Sequence, residues 1–401
     1  MSAASDSLEQ PTSTSAPPPA AARTGRARRV LLVAGEASGD MHGADLVREL
    51  RALVPGLEVR GIGGAQLRAA GMETLVDAAQ IATMGLLETR ERLGVVVRAY
   101  RRMRRLLRTD PPDLLILIDF AEFNLALAGV AQRCGVPVLY YISPQVWAWR
   151  RRRIRKIARR VDCLAVVFPF EAPLYVESGA RAEFVGHPLL DRVRATRSRA
   201  ETCARHGLDP ARRLIALLPG SRPKEIRLIL PVMAEAAVRL LERGDVQCVL
   251  ALADTLSPAD IAASMGNRAL PATVVEGDTY NLVHASELVL VASGTATLET
   301  ALLERPMVIA YRMTALTYAL ARRLISVPFI GMPNLIAGKA VVPELVQHDA
   351  TGGRLAAEAT RFLDDPALRA TTMSELADLR RLLGGGGAAR KAAAIAAEML
   401  A

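Results

Sequence analysis

Aromatic residues, cysteines and long apolar runs are all scarce in this sequence. Aromatic residues make up 4% of the 401 residues, which disfavours nucleic-acid-binding modules that stack bases on exposed rings. The four cysteines are scattered, without the CxxC spacing of a metal site, so we expect buried, reduced thiols in a cytosolic protein. No stretch of 18 apolar residues is free of charge, which argues against a membrane-spanning helix.

The N-terminal segment lacks the apolar stretch of a secretory signal. Residues 1–29 are rich in Ser, Ala and Pro and end in several arginines. We therefore expect a disordered tail that lies outside the fold.

Short apolar runs that alternate with helical patterns dominate the rest of the chain. Such runs predict an α/β fold with parallel strands covered on both faces. The first set is Val30–Ala34, Leu57–Ile62, Leu114–Ile118, Val136–Tyr141, Cys163–Val167 and Ala182–Val185. The second set is Leu214–Leu218, Val246–Leu252, Ala272–Val275, Leu288–Ala292 and Met307–Ala310. Six and five strands suit two doubly wound, Rossmann-like domains better than one very wide sheet.

The domain boundary is predicted near Gly186–Arg194, where a GHPLLD turn follows the last strand of the first set. We therefore divide the chain into an N-terminal domain (30–188), a C-terminal domain (189–383) and a final helix (384–401) that follows a polyglycine run. Two doubly wound domains facing a central cleft are the arrangement of the GT-B glycosyltransferases, an analogy that does not fix function by itself.

Two strand ends in the N-terminal half carry candidate site residues. GEASGDMHG (Gly35–Gly43) follows the first strand, and its glycines allow a tight turn into a helix; an ordinary strand-to-helix turn explains it equally well. Asp119 ends the strand Leu114–Ile118, where a carboxylate could take a proton from an attacking sugar hydroxyl. A helix cap is the alternative role for Asp119.

Two turns in the C-terminal half suit a nucleotide. In LLPGSRPKEI (Leu217–Ile226), Arg222 could hold a diphosphate in a bidentate manner. In ASGTATLE (Ala292–Glu299), small residues open a helix whose free N–H groups could bind phosphate oxygens, and Glu299 could accept hydrogen bonds from ribose hydroxyls. No DxD-type pair follows a strand, so we expect neither a metal ion nor another cofactor, and Arg222 and the helix dipole would stabilise a leaving nucleotide diphosphate.

The positive charge is concentrated in one region. Between Met84 and Arg160 there are 17 Lys/Arg and 6 Asp/Glu, whereas the net charge of the whole chain is +10. Apolar residues beside such charge predict contact with an anionic membrane surface; nucleic acid and a solvated helix face are the alternatives. The candidate membrane contacts are Leu86, Leu87, Trp147, Trp149, Arg151, Arg152 and Arg155.

Taken in order, these segments closely resemble the lipid A disaccharide synthase family. The match runs from about Val30 to the C-terminus, and its blocks SPQVWAWR and LLPGSR are specific together. The matching stretches are GEASGD (Gly35–Asp40), MG.LE (Met84–Glu88), IDF.EFN (Ile118–Asn124), YYISPQVWAWR (Tyr140–Arg150), FPFE (Phe168–Glu171), FVGHPL (Phe184–Leu189), LLPGSR..EI (Leu217–Ile226), SGTATLE (Ser293–Glu299), YRM (Tyr311–Met313) and PNLIAG (Pro333–Gly338).

The resemblance implies an inverting, metal-independent transfer between UDP-2,3-diacylglucosamine and 2,3-diacylglucosamine 1-phosphate (lipid X). It also implies peripheral attachment to the cytoplasmic face of the inner membrane, and a homodimer whose C-terminal segments exchange between subunits.

The resemblance also assigns residues by position. It makes Asp119 the candidate general base, and His187 a packing residue of the hinge. The implied UDP-sugar contacts are Arg222, Ser293, Gly294, Thr295, Thr297, Glu299 and Asn334. The implied acceptor-side or structural residues are Ser38, Asp40, Glu88 and Glu122, the last at a position where the family more often has aspartate.

Two alternatives remain open from the sequence. Another UDP-sugar enzyme of the same fold, such as a UDP-GlcNAc 2-epimerase, would not need the membrane-suited half. A non-catalytic, basic nucleic-acid-binding protein would bind DNA or RNA with steep salt dependence and have no affinity for UDP.

Overall fold

The structure is a computed structural model that describes residues 26–82, 89–144, 153–266, 268–314, 318 and 327–401, except for the side chains of 82 and 89–93. Within these ranges no helix is both long and apolar enough to cross a membrane. All four cysteines are unpaired, and all but Cys134 are buried, which agrees with the expectation of reduced thiols.

The N-terminal half forms a parallel sheet of seven strands in the order β3-β2-β1-β4-β5-β6-β7. The strands are β1 (Arg29–Ala34), β2 (Glu58–Gly63), β3 (Glu73–Asp77), β4 (Leu114–Ile118), β5 (Val138–Tyr141), β6 (Cys163–Val166) and β7 (Arg181–Phe184). The chain reverses its direction of winding between β1 and β4, which pair with Val30 beside Leu114. A doubly wound sheet leaves a crevice at the carboxyl ends of such a pair.

The C-terminal half forms a second parallel sheet, in the order β10-β9-β8-β11-β12-β13. Its strands are β8 (Arg213–Leu218), β9 (Val246–Leu252), β10 (Thr273–Glu276), β11 (Leu288–Ala292), β12 (Met307–Tyr311) and β13 (Glu344–Val346). Here the winding reverses between β8 and β11. The predicted α/β class with two doubly wound domains is confirmed, and the predicted strand count was short by β3 and β13.

Helices cover both faces of each sheet. Those of the N-terminal half are α1 (Ala37–Leu53), α2 (Ala65–Ala69), α3 (Ala78–Ala82), α4 (Thr89–Thr109), α5 (Ala121–Arg133), α6 (Ile154–Ala158) and α7 (Glu171–Val176). Those that follow are α8 (Arg199–His206), α9 (Pro223–Leu241), α10 (Pro258–Met265), α11 (Thr279–Ala285), α12 (Thr295–Leu302), α13 (Met332–Ala337), α14 (Gly352–Asp364), α15 (Pro366–Leu382) and α16 (Ala388–Leu400). Every described residue of β4 and β11 is buried, because central strands of a covered sheet contact helices on both sides.

The chain passes between the two sheets twice. The first passage contains a 3₁₀ helix (Pro188–Asp191). The second runs from Leu383 to Gly387 and leads into α16, which packs against α1 of the same chain. The His187 N–H donates to the Leu383 carbonyl (3.0 Å), and the Gly387 N–H donates to the Asp191 carboxylate (2.9 Å). The two passages are therefore held side by side.

Candidate functional site

The candidate site lies where each sheet reverses its winding. On the N-terminal sheet, the turn of Gly35 and Glu36 follows β1 and leads into α1, and Asp119 follows β4. On the C-terminal sheet, the turn Pro219–Arg222 follows β8 and Ser293–Gly294 follows β11. Ligands of doubly wound sheets bind at these positions because the adjacent loops diverge and leave a crevice.

Asp119 has a strained backbone that its neighbours hold in place. Asp119 (φ 47°) and Phe120 (φ 48°) both adopt the left-handed conformation, which costs about 1–3 kcal/mol for each non-glycine residue. The Asp119 carbonyl accepts hydrogen bonds from the Asn124 amide (2.7 Å) and the Tyr140 hydroxyl (2.7 Å), and its N–H donates to the Ile142 carbonyl (3.3 Å). Asn124 and Tyr140 are completely buried, so they fix the direction of the Asp119 backbone.

The Asp119 carboxyl has a raised pKa. Burial, reinforced by the negative charge of Glu36, raises its pKa to about 6, although a hydrogen bond from the Phe120 N–H opposes the shift. A carboxylate with a pKa near neutrality is a more effective general base than an ordinary aspartate. Such shifts occur at functional sites because burial and like charges are concentrated there.

The turn after β1 and the turn after β4 fit each other closely. A Cβ atom at Gly35 would lie 2.5 Å from the Phe120 ring, so a side chain at that position would displace the ring. The ring also stacks on Phe123, with centroids 4.9 Å apart. Glycine at position 35 therefore lets Phe120 sit against the start of α1.

A cavity of about 860 Å³ lies between the two domains, and we call it the interdomain cleft. Its N-terminal wall is largely apolar, whereas its C-terminal wall is polar. The lining residues are Gly35, Glu36, Ala37, Ser38, Ile81, Val96, Val97, Tyr100, Phe120, Glu122, Phe123 and Ala126 from the first half, and Ser221, Arg222 and Thr255 from the second. The cleft thus brings Ser38, Glu122 and Phe120, which follows Asp119 in the chain, together with Arg222.

Arg222 immediately precedes α9, and its side chain extends into solvent. Its side chain is 77% exposed, and its guanidinium lies 3.6 Å from Glu225, which leaves most of its donors available. The Thr255 hydroxyl donates to the Ser221 carbonyl (2.6 Å) and ties this turn to the loop after β9. The arrangement presents a guanidinium at the C-terminal wall of the cleft.

The turn after β11 opens α12. The Thr297 hydroxyl donates to the Gly294 carbonyl (2.7 Å), and the Ser293 hydroxyl donates to the Ile330 carbonyl (3.2 Å). Both hydroxyls therefore shape the turn, while Gly294 and Thr295 are exposed. The first N–H groups of a helix have no partner within the helix, so this turn can bind an anion.

Glu299 lies one turn into α12 and is held by a tyrosine. Burial raises its pKa, and a hydrogen bond from the Tyr280 hydroxyl (2.9 Å) counteracts the shift. The carboxylate therefore has a fixed position near the exposed start of the helix.

Asn334 is 1% exposed, and its amide group is fully used inside the protein. Its oxygen accepts from the N–H groups of Val341 (2.8 Å) and Val342 (3.0 Å). Its nitrogen donates to the Val342 carbonyl (2.8 Å) and the Glu344 carboxylate (2.8 Å). With two bonds accepted and two donated, no capacity remains for a ligand, and Asn334 instead holds the loop before β13.

Three residues predicted near the acceptor differ in their surroundings. Ser38 is exposed and lines the cleft. The Asp40 carboxylate is buried and accepts from the N–H groups of Gly64, Gln66 and Leu67 at the start of α2, so it has a structural role. The Glu122 side chain is 68% exposed and forms an ion pair with Arg153.

Several predicted residues lie outside the part of the chain that the structure describes. They are Leu86, Leu87, Glu88, Trp147, Trp149, Arg151 and Arg152. Arg155 is described: it is exposed on α6, beside the exposed Lys156, while Ile154 and Ile157 face the core. His187 is buried in the first passage between domains, where its ring packs on Phe168 at a centroid distance of 5.2 Å.

A family model described as lipid-A-disaccharide synthetase matches residues 30–398. The chain belongs to the lipid-A-disaccharide synthase family. A lipid-A-disaccharide synthase of Geobacter sulfurreducens is 50% identical over 373 residues, which cover 93% of this chain and 97% of that protein. The chain is therefore a glycosyltransferase of lipid A biosynthesis, and the epimerase and nucleic-acid-binding alternatives are not supported.

Solved structures agree with this lipid-A-disaccharide synthase family fold. A UDP-GlcNAc 2-epimerase from Neisseria meningitidis bound to UDP-GlcNAc has a TM-score of 0.60 at 13% identity, over 93% of this chain and 99% of that one. The glycotransferase of kitacinnamycin also has a TM-score of 0.60, at 16% identity, over 94% and 100% of the two chains. At these identities the likeness concerns the fold alone, which is of the GT-B type.

Some residues of this lipid-A-disaccharide synthase site were not predicted from the sequence. Glu36 was inside a recognised motif, yet its charge effect on Asp119 depends on contact between two strand ends. Asn124 and Tyr140 also lie in recognised motifs, but their roles follow from hydrogen bonds to one carbonyl. Tyr280 had no sequence signal, because its partner Glu299 is 19 residues away on another helix.

Proposed function

We propose that this glycosyltransferase condenses UDP-2,3-diacylglucosamine with lipid X, to give the β-1,6-linked disaccharide 1-phosphate and UDP. The observation that carries the proposal is the interdomain cleft, which has Phe120, the residue next to Asp119, on one wall and the exposed Arg222 on the other. Burial and the negative charge of Glu36, which also lines the cleft, raise the pKa of Asp119 to about 6. Membership of the lipid-A-disaccharide synthase family supports the choice of substrates.

The proposed reaction is a single in-line displacement. The acceptor 6-hydroxyl oxygen bonds to the anomeric carbon of the donor as the bond from that carbon to the UDP oxygen breaks. Asp119 accepts the hydroxyl proton, and UDP leaves with the bonding electron pair. Attack from the face opposite the leaving group inverts the anomeric configuration, so an α-linked donor gives a β-linked product.

In this mechanism, protein groups stabilise the charge that develops on the leaving UDP. Arg222 supplies a bidentate cation, and the N–H groups of the first residues of α12 supply donors aligned with the helix dipole. Glu299 accepts hydrogen bonds from the ribose. We propose that these groups suffice without a metal ion.

The test is an assay of UDP release with purified protein, UDP-2,3-diacylglucosamine and lipid X in detergent micelles containing EDTA. We expect UDP together with a disaccharide 1-phosphate, identified by mass. Product that forms only after Mg²⁺ is added would refute metal independence alone. If neither UDP nor disaccharide forms, even with Mg²⁺, the proposed reaction is wrong.

We also propose that the enzyme works at the cytoplasmic face of the inner membrane, attached through the basic face of its N-terminal domain. The described part of this face includes the exposed Arg101, Arg105, Arg155 and Lys156 on α4 and α6. Lys and Arg side chains near an anionic surface each contribute about 1 kcal/mol to binding.

Replacing Arg151, Arg152 and Arg155 together with Glu tests the membrane proposal. We expect weaker binding to anionic vesicles and unchanged affinity for UDP, because α6 is remote in sequence from the UDP-binding turns. Unchanged vesicle binding would exclude this cluster as the membrane contact.

The family resemblance further leads us to propose a homodimer with exchanged C-terminal helices. In a single chain α16 packs against α1, and the glycines before α16 could redirect it to the α1 of a partner. Light scattering would give the mass in solution. A disulfide engineered between α1 and α16 would link two chains if exchange occurs and one chain if it does not.

A further inference from the structure

A second cavity lies on the opposite side of α4 from the interdomain cleft. This β3–α4 pocket has a volume of about 440 Å³. Its lining residues are Arg68 from α2, Thr74, Leu75, Val76 and Asp77 from β3, Gln80 from α3, and Val95, Arg98, Ala99 and Arg102 from α4. Successive helical residues are rotated by about 100°, so these α4 residues form a face opposite to the one that carries Val96, Val97 and Tyr100.

The β3–α4 pocket has an excess of positive charge. It contains three arginines and one carboxylate. Asp77 is paired with Arg68 at 2.8 Å, and neither Arg98 nor Arg102 has a carboxylate partner among the described residues. These two arginines are four residues apart on one helix, an arrangement of like charges that destabilises a helix slightly. A bound anion would remove that repulsion.

Contacts with the edge strand β3 hold part of the pocket in position. One Arg102 guanidinium nitrogen donates to the Leu75 carbonyl (2.5 Å), which leaves its other donors free to bind an anion. Arg68 is held by Asp77. Arg98 is exposed and extends back along α4 towards Gly94. Guanidinium groups held in place, as those of Arg68 and Arg102 are, lose less entropy on binding a ligand.

We propose that the β3–α4 pocket binds the phosphate group of an anionic phospholipid. The inference rests on the membrane attachment proposed above. Guanidinium groups match the planar, multidentate geometry of phosphate oxygens. A lipid is favoured over free phosphate because α4 continues from the apolar segment that begins at Met84 and carries the exposed basic residues of the proposed membrane face.

Two double variants with equal charge loss on the same helix test the proposal. Arg98→Gln with Arg102→Gln removes the unpaired charges of the pocket. Arg104→Gln with Arg108→Gln removes two exposed charges on the other side of α4. Binding of the full-length protein would be measured on phosphatidylcholine vesicles containing phosphatidylglycerol, together with binding of inorganic phosphate.

We expect the pocket variant to bind these vesicles about tenfold more weakly than the control variant, because it loses charge-assisted hydrogen bonds as well as general attraction. Equal losses in the two variants would overturn the proposal in favour of diffuse electrostatic attraction. Loss of inorganic phosphate binding with unchanged vesicle binding would overturn the lipid assignment.

The assay of UDP release in micelles separates this inference from the proposed reaction. We expect the pocket variant to keep wild-type turnover there, because none of its altered residues lines the interdomain cleft. If the pocket variant loses turnover in micelles as well as vesicle binding, the pocket is not a lipid site separate from the interdomain cleft. If the wild-type protein releases no UDP, and the pocket variant still binds vesicles more weakly than the control variant, the proposed reaction fails and the lipid site stands.

Discussion

Asp119 combines a strained backbone with a raised pKa, and both bear on its proposed role as general base. We expect Asp119→Asn to lower turnover by about 10²–10⁴-fold, the usual contribution of a general base. UDP affinity should be unchanged, because Asp119 belongs to the opposite sheet. Steady-state rates and calorimetric titration with UDP would measure the two effects. Near-normal turnover in this variant would remove Asp119 from the mechanism.

The pKa of Asp119 predicts a pH dependence of the reaction. A general base must be deprotonated, so kcat/KM should rise with pH through about 6, the pKa to which burial and Glu36 raise this carboxyl. Glu36→Gln removes the negative charge of Glu36 and should move the inflection to lower pH. Glu49→Gln, within the helix α1 that Glu36 immediately precedes, is the matched control. The hypothesis fails if both variants keep the wild-type inflection.

The hydrogen bond from Tyr280 to Glu299 predicts a pH-dependent affinity for UDP. Tyr280→Phe removes the donor that opposes the effect of burial, so the pKa of Glu299 should rise further. Because the ionised carboxylate accepts from ribose, UDP binding should weaken, and more so at low pH. Titrations with UDP at several pH values would measure this. Tyr141→Phe is the control, since the Tyr141 hydroxyl has no hydrogen-bond partner among the described residues. An equal effect in that variant would contradict the prediction.

The fit between the β1–α1 turn and the β4–α5 turn can be tested with two glycines of one motif. Gly35→Ala would place a Cβ atom 2.5 Å from the Phe120 ring, whereas at Gly39 the nearest atom is 3.4 Å away, an ordinary contact. Moving Phe120 also moves Asp119, and misplacing a catalytic group by about 1 Å can cost 10²-fold in rate. We expect a large loss of turnover for Gly35→Ala and near-wild-type turnover for Gly39→Ala. Similar rates for the two variants would show that the close contact has no catalytic role.

Strand prediction from sequence succeeded where burial was complete and missed two of the four edge strands, β3 and β13. The runs that became β4 and β11 are apolar throughout, because both faces of those strands are covered. In contrast, Glu73–Asp77 forms the edge strand β3, where no residue is fully buried, and β13 has only three residues. Neither segment has the long apolar run that signals a central strand.

The sequence indicated where candidate site residues lie but not what each one does. Asp119 and Arg222 were predicted because they follow apolar strands, a signal that is local to each motif. The role of Asn334 depends on four hydrogen bonds to a loop seven to ten residues away. Such contacts form only when the fold brings the segments together, so the sequence motif alone could not distinguish a ligand contact from a loop support.

At the scale of the whole molecule, two buried histidines lie where the chain passes between the domains. Burial, with the positive charge of Arg192, lowers the pKa of His42 to about 4. Burial lowers the pKa of His187 to about 3, and its Nδ1 accepts from the Leu189 N–H (3.2 Å). Both rings are therefore neutral in the folded protein at neutral pH.

Because these histidines are buried and neutral, we expect mild acid to lower the stability of the folded protein. Because their pKa values are lower in the folded state than in the unfolded state, where histidine has a pKa of about 6.5, the unfolded chain binds more protons below that pH. Their contribution to stability is present above about pH 6.5 and is lost as the pH falls towards 4. For His42 alone the loss of stability at pH 5 is about 2 kcal/mol, or roughly 4–8 °C in the unfolding temperature of a domain of this size.

Calorimetric scans at pH 7.5 and pH 5 would measure this change in unfolding temperature. His42→Gln should reduce the pH dependence, and His348→Gln, at an exposed position, should leave it unchanged. A wild-type unfolding temperature that is the same at both pH values would show that the two rings are protonated in the folded state without cost.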